Sequence, residues 1–68
     1  MEDGSRTGTV TWSRGRRWIL SDGDGQLYVA RQEDAYTPLL IRRRVRFEVR
    51  PGEYGPYRTA VDVKRLEK

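Results

Sequence analysis

Arginine and aromatic side chains are interleaved in the stretch GRRWILSDGDGQLYVAR, which runs from Gly15 to Arg31. A guanidinium group is planar, so it binds phosphate as a fork and also stacks on flat rings. Exposed aromatic rings stack on the bases of single-stranded nucleic acids. The residue types in this stretch are therefore suited to a surface on which rings contact bases and cations contact phosphates.

The charge of the chain favours a polyanionic partner. Its 68 residues include 14 Lys and Arg and 10 Asp and Glu, which gives a net charge of +4. Residues 35–68 hold nine basic and four acidic residues, a balance of +5, whereas residues 1–34 hold five and six, a balance of −1. A basic small domain attracts polyanions, although charge alone does not separate this role from simple solubility.

The composition offers few of the residue types that catalysis and metal binding use. The chain has no cysteine and no histidine, which excludes disulfides, thiolate zinc sites and the commonest general base. Asp22 and Asp24 supply too few oxygen ligands for a calcium loop, and the glycines beside them precede a predicted strand rather than a helix. We expect no enzyme activity, no metal site, no cofactor and no small-molecule substrate.

The N-terminal residues MEDGSRTG are polar, and no apolar run approaches the roughly 20 residues that span a bilayer. The sequence therefore predicts a soluble, cytoplasmic protein with neither a signal peptide nor a membrane partner. We expect residues 1–7 to form a flexible leader and residues 8–66 to form one small domain.

Five short strands are expected to position the rings and the arginines, because β-like runs alternate with Gly, Pro and Asp turn signals. The predicted strands are Thr7–Trp12, Arg17–Leu20, Gln26–Ala30, Arg44–Arg50 and Tyr57–Leu66. Turns are predicted at SDGDG and PGEYGP, and Leu39–Ile41 are expected to plug one end of the core. Five strands in so short a chain favour a closed barrel, since a flat sheet leaves its edges open.

Alternation along the strands predicts which side chains face the core. The expected inward residues are Ile19, Leu27, Val29, Val45, Phe47, Val49, Val61 and Val63. The expected outward residues are Trp18, Tyr28, Arg46, Glu48 and Arg50. Alternation also places Trp12 on the same face as buried Val10, so the alternative is that Trp12 and Trp18 are partly buried core residues.

Several landmarks together resemble the cold shock domain family. GTVTW at Gly8–Trp12 is similar to the family's opening Gly-x-Val-x-Trp. RGRRWI at Arg14–Ile19 and LYVAR at Leu27–Arg31 stand where the family has Lys-Gly-Phe-Gly-Phe-Ile and Val-Phe-Val-His-Phe, its two ribonucleoprotein motifs. VRFEV at Val45–Val49 and the GP pair at positions 55 and 56 follow at family-like spacing. The resemblance covers residues 8–63.

The chain also departs from the family pattern. The loop between Trp12 and Trp18 is shorter than the family's. Arginines replace a phenylalanine and a glycine at positions 16 and 17, and Ala30 and Arg31 replace a histidine and a phenylalanine. Half of the usual stacking residues are therefore missing. The segment Arg42–Arg44 also lacks the glycine that the family usually has before the fourth strand.

The resemblance implies an all-β fold, a small five-stranded antiparallel barrel of the oligonucleotide-binding (OB) type. It further implies binding of single-stranded RNA or DNA with low sequence specificity, in an RNA chaperone or a modulator of transcription or translation. Stacking rings and backbone-binding arginines are expected at Trp12, Arg16, Arg17, Trp18, Tyr28, Arg31 and Arg58.

A protein-binding module is the alternative function. Trp, Tyr and Arg are also enriched at interface hot spots, so a barrel that has lost half its rings would dock on an acidic protein such as a polymerase or nuclease. Tyr36 and Tyr57 are further candidate rings. Arg42–Arg44 are otherwise interpreted as a solvated turn, and Arg46 and Arg50 as cross-strand partners on the face of Glu48.

Overall fold

A computed structural model describes residues 5–66, except for the side chains at positions 53 and 54. Its strands are β1 (Ser5–Ser13), β2 (Arg16–Ser21), β3 (Leu27–Ala30), β4 (Arg44–Tyr54) and β5 (Tyr57–Arg65), with a 3-10 turn at Gln32–Asp34 between β3 and β4. The strands close into a barrel in the order β1-β2-β3-β5-β4. The predicted fold class is therefore confirmed, and a small closed five-stranded barrel is consistent with an OB fold.

One strand pair differs from the wholly antiparallel prediction. β3 and β5 run parallel and pair only at Val29–Thr59 and Ala30–Ala60, which we call the parallel seam. On the N-terminal side of the seam the two strands diverge. A groove of about 500 Å³ opens there between residues 26–28 and residues 56–58.

β1 closes the barrel because it pairs with β2 along one edge and with β4 along the other. At Gly8 both neighbours approach closely. A Cβ atom at this position would lie 2.5 Å from the carbonyl oxygen of Leu20 and 2.8 Å from Cγ2 of Ile19. Only glycine fits such a contact, which explains the first residue of the GTVTW motif.

The barrel interior is filled by side chains from every strand and from the loop before β4. The core cluster consists of Val10, Ile19, Tyr28, Ala30, Leu39, Val45, Phe47, Ala60 and Val63. The inward predictions for Ile19, Val45, Phe47 and Val63 are confirmed, and Val49 packs partly buried against this cluster. Leu39 plugs one end of the core as predicted, whereas Leu40 and Ile41 are exposed.

The predicted orientation of β3 is wrong. Ile19 lies opposite Tyr28, and Trp18 lies opposite Val29. Tyr28 therefore shares the inner face with Ile19, where its ring packs 5.4 Å from the ring centroid of Phe47. Val29 lies on the outer face with Trp18 and is nevertheless fully buried. Because apolar residues occupy both faces of β3, alternation could not assign its phase.

Two further boundaries differ from the prediction. β4 continues through the PGEY segment, so the turn before β5 is confined to Gly55 and Pro56. In β5, Asp62 adopts φ 53 at a register shift. The resulting bulge leaves Val61 opposite Glu48 on the outer face while Val63 enters the core.

Residues 5–7, predicted as part of a flexible leader, instead belong to β1 and pair with β4. The rest of the predicted leader, residues 1–4, lies outside the described part of the chain. Among residues 5–66, no helix has the length and apolar character needed to cross a bilayer.

Candidate functional site

Trp12 is exposed, as predicted for a stacking ring. It lies opposite Arg17 near the tip of the β1–β2 hairpin, and 57% of its surface is accessible. Its alternation phase is that of buried Val10, but the hairpin continues past the core cluster at this point. The indole is therefore exposed to solvent at the strand end.

Trp18 is buried, so the predicted exposed ring at this position is wrong. Only 4% of its surface is accessible. Its Nε1 donates a hydrogen bond of 2.8 Å to the carbonyl oxygen of Ser13, and the ring of Tyr57 packs edge-on with a centroid distance of 4.8 Å. The indole stands on the outer face of the barrel but is covered by the start of β5. The Trp18 indole therefore contributes to packing and is not available to stack on a base.

The predicted exposed ring at Tyr28 is also wrong, because Tyr28 belongs to the core cluster. Its hydroxyl reaches the end of the barrel, where it donates to Asp24 Oδ2 at 2.9 Å and accepts from Arg6 Nη1 at 3.2 Å. Burial and the hydrogen bond to Asp24 raise the pKa of Tyr28. The hydrogen bond from the backbone N–H of Gln26 lowers the pKa of Asp24. Desolvation opposes this shift, and the hydrogen bond from the Tyr28 hydroxyl adds to it.

The predicted arginines divide into two groups. Arg31 forms ion pairs with Asp34 at 2.8 Å and Glu33 at 3.8 Å, so its charge is balanced within the turn after β3. Arg17 shares the hairpin with Trp12, Arg16 lies opposite Ser13, and Arg58 is exposed at the rim of the groove. The structure therefore brings Arg16 and Arg17 close to Trp12 and leaves Arg31 elsewhere.

Arg14 was missed by the sequence analysis and belongs to the site. It occupies a two-residue hairpin turn with Gly15, and both residues have positive φ, 53 and 79, as short hairpin turns require. Arg14 Nη1 donates to the Tyr57 hydroxyl at 3.0 Å. The tight turn directly after Trp12 was the signal that could have identified Arg14.

We define the hairpin-tip surface as Trp12, Arg14, Arg17, Tyr57 and Arg58. Arg14 lies between its two parts, because it occupies the hairpin turn after Trp12 and bonds to Tyr57. Trp12 and Arg17 continue the inner face of the hairpin, whereas Tyr57 packs on Trp18 at its outer face. Within the described residues, none of its three arginines forms an ion pair, whereas Arg6 is paired with Asp24. The surface thus combines one open indole, one half-buried phenol ring and three arginines that form no ion pair with another described residue.

No three carboxylates in residues 5–66 come together as a group that could hold a metal ion. Comparison of the chain with protein-family models, curated proteins and solved structures found no match.

Proposed function

We propose that the hairpin-tip surface binds single-stranded RNA or DNA with little sequence preference. The observation that carries the proposal is the accessible indole of Trp12 opposite Arg17 in the β1–β2 hairpin. The closed five-stranded barrel and the cold-shock-like motifs support it. By that resemblance, the protein acts as an RNA chaperone or as a modulator of transcription or translation.

Binding begins with a base stacked on the open face of Trp12, a contact worth about 1–3 kcal/mol. Arg17 then lies beside the same base and reaches the adjoining phosphate. Arg14 and Arg58 extend the cationic track past Tyr57 toward the groove between β3 and β5. An indole stacks on any base, and phosphates carry no sequence information, so this arrangement recognises a strand rather than a sequence.

The burial of Trp18 and Tyr28 reduces the share of the proposed binding free energy that comes from stacking. Only Trp12 of the three expected rings is left to stack freely. A larger share of the binding free energy then comes from arginine–phosphate contacts and the counterions that they release. Binding is therefore more sensitive to salt than it would be on a surface rich in open rings.

The test is the Trp12→Ala variant, with binding to a fluorescein-labelled U12 RNA measured by polarisation at 0.1 M salt. Loss of one stacked base weakens binding about 5- to 150-fold. Leu20→Ala is the matched control because it truncates another exposed apolar residue of the same hairpin, 44% accessible, and it leaves affinity unchanged. Both variants unfold with a free energy within about 0.5 kcal/mol of the parent.

Equal affinity of Trp12→Ala and the parent protein would reject the hairpin-tip surface as the stacking site. Failure of the parent to bind U12 or dT12 at low salt would reject nucleic-acid binding altogether.

One observation favours the alternative of a protein-binding module. Leu40 and Ile41 are 54% and 48% exposed in the loop that bonds to Val10 of β1 through Arg42 and Arg43, at 2.8 and 3.0 Å. Exposed aliphatic side chains suit a protein surface better than a base. Under this alternative, Leu40→Ser/Ile41→Ser abolishes stoichiometric binding of an acidic partner, while RNA affinity stays at background in every variant.

A further inference from the structure

We propose that the outer face of β4 and β5 forms a second single-stranded nucleic-acid contact, so that one barrel holds two segments at once. The inference rests on the proposed function, since the first segment is the one bound at the hairpin-tip surface. The contact itself is formed by different residues, which we call the β4–β5 patch: Tyr36, Arg46, Lys64 and Arg65.

Two cations share this face because of strand register, since Arg46 lies opposite Lys64 across the β4–β5 pair. Arg65 lies opposite Val45 at the end of β5 and joins them at the edge of the face. Together with Leu66 they line a hollow of about 210 Å³. None of the three forms an ion pair within residues 5–66, whereas neighbouring Arg44 is paired with Asp22. The hollow therefore has the size and charge to receive a phosphate.

Tyr36 supplies a ring beside these cations. It is 73% exposed, yet it is held from three sides. Its N–H donates to the Val63 carbonyl oxygen at 2.8 Å, its hydroxyl donates to Asp62 at 3.3 Å, and Lys64 Nζ lies 5.7 Å from the ring centroid. A ring that is both accessible and already ordered loses little entropy when a base stacks on it.

The carboxylates near this ring separate the base from the phosphate. Glu48 and Asp62 line a groove of about 230 Å³ with Tyr36, Arg46 and Lys64, so a phosphate placed there would be repelled. The hollow at Arg46, Lys64, Arg65 and Leu66 has no carboxylate among its lining residues in the described part of the chain. A nucleotide therefore binds with its base over Tyr36 and its phosphate at Arg65.

The β4–β5 patch and the hairpin-tip surface face different directions. Thr7 of β1 lies opposite Arg46, and Trp12 lies five residues further along β1, about 17 Å at the usual rise of a strand. Trp12 pairs toward β2, on the other edge of β1. Two bound segments would thus be held close together, and the expected activity is acceleration of strand annealing.

The test maps both surfaces in one titration of the ¹⁵N-labelled full chain with U6 RNA, followed by amide chemical shifts. Two separate sets of amides should shift, one around Trp12 and Arg17, the other around Tyr36 and Lys64. The variant Arg46→Ala/Lys64→Ala should remove only the second set. The matched variant Arg17→Ala/Arg58→Ala loses the same charge and should remove only the first.

The same two variants are compared in annealing of complementary 20-nucleotide RNAs. Loss of two phosphate contacts weakens binding at the altered surface about 25-fold at 0.1 M salt, from a slope of about −0.7 per phosphate. Each variant therefore loses the annealing activity of the parent at a protein concentration that saturates the unaltered surface. Annealing at the parent rate in Arg46→Ala/Lys64→Ala overturns the inference.

The outcomes separate the two proposals. Shifts confined to the hairpin tip overturn the second contact and leave the proposed function standing. Shifts confined to the β4–β5 patch overturn the hairpin-tip proposal, and the two-segment inference with it. An (Glu)₁₀ peptide that shifts the β4–β5 amides at lower concentration than U6 assigns that face to an acidic protein and overturns the inference.

Discussion

Trp12 and Trp18 show how one residue type takes opposite roles six positions apart. Trp12 is open at the hairpin tip, whereas Trp18 is covered by Tyr57 and bonded to the Ser13 carbonyl. The sequence analysis expected both rings to be open, and it could not have known that the start of β5 folds over β2. That contact joins residues far apart in the chain, and no local pattern encodes it.

We expect Trp18→Ala to destabilise the protein by about 3–5 kcal/mol, because it removes a fully packed indole and leaves a cavity. Urea unfolding followed by circular dichroism measures the effect. Trp12→Ala is the control for loss of an indole without loss of packing. A Trp18→Ala protein that keeps the stability of the parent would show that Tyr57 does not seal this ring.

Tyr28 links the core to a charged network, so its hydroxyl should make stability depend on alkaline pH. Its pKa is raised by burial and by Asp24, so the folded state holds its proton more tightly than the unfolded state. The hydroxyl's stabilisation is therefore complete below the pKa of an unfolded tyrosine and is lost as pH rises through the higher folded value.

Tyr28→Phe should lower the free energy of unfolding by about 1 kcal/mol at neutral pH. This deficit should disappear as the pH rises into the range where Tyr28 ionises, in urea unfolding measured at several pH values. In Asp24→Asn, the Tyr28 titration seen by absorbance at 295 nm should move back toward the ordinary tyrosine value. If the free energies of unfolding of Tyr28→Phe and the parent differ by the same amount at every pH, the Tyr28 hydroxyl does not stabilise the fold through its bond to Asp24.

At the scale of elements, the sequence predicted the existence and order of all five strands. Gly, Pro and Asp at the turns and β-branched residues between them encode that information locally. The phase of β3 and the extension of β4 were not predicted, because Leu27–Ala30 is apolar on both faces and Pro51 was interpreted as ending its strand. The burial of Val29 on the outer face, beside Trp18, is what the alternation rule could not anticipate.

The loop before β4 contains a strained position that the sequence analysis did not predict. Arg42 adopts φ 76, a left-handed conformation that costs a side-chain-bearing residue about 1–2 kcal/mol. It lies in the segment Arg42–Arg44, which lacks the glycine that the cold shock domain family usually has there. Arg42→Gly should therefore raise the free energy of unfolding by about 0.5–1 kcal/mol, after the entropy that glycine loses on folding. Thermal and urea unfolding measure it.

Arg42→Ala is the matched control for that change, since it removes the same charge and keeps the Cβ atom. It should give no gain in stability. Equal stability of the two variants would mean that the loop relaxes out of the left-handed conformation.

At the scale of the whole molecule, the distribution of ion pairs matters more than the net charge of +4. Arg6, Arg31 and Arg44 are neutralised by nearby aspartates. The hairpin-tip surface and the β4–β5 patch hold cations without such pairing in the described residues. The sequence analysis chose Arg31 because it stands in a ribonucleoprotein-like motif, but spacing alone cannot show that Asp34 folds back onto it.

The salt dependence of RNA binding should show which arginines contact phosphate. Arg17→Ala/Arg58→Ala should make the slope of log K against log salt less steep by about 1.4, or 0.7 per phosphate contact. Arg31→Ala should leave the slope unchanged, since its guanidinium is already paired. The measurement is a U12 titration at four salt concentrations. A change of slope in Arg31→Ala as large as that in Arg17→Ala/Arg58→Ala would contradict the inference that Arg31 does not contact phosphate.

The parallel seam holds β3 to β5 through only two residue pairs, beside a groove of about 500 Å³. Every other strand contact in the barrel is longer. The molecule should therefore open here before it unfolds as a whole, with fast hydrogen–deuterium exchange at the start of β5 and slow exchange along β1. A ligand that binds in the groove would stabilise a locally opened state in which β3 and β5 separate. The parallel seam is therefore the site at which this small barrel can open without unfolding.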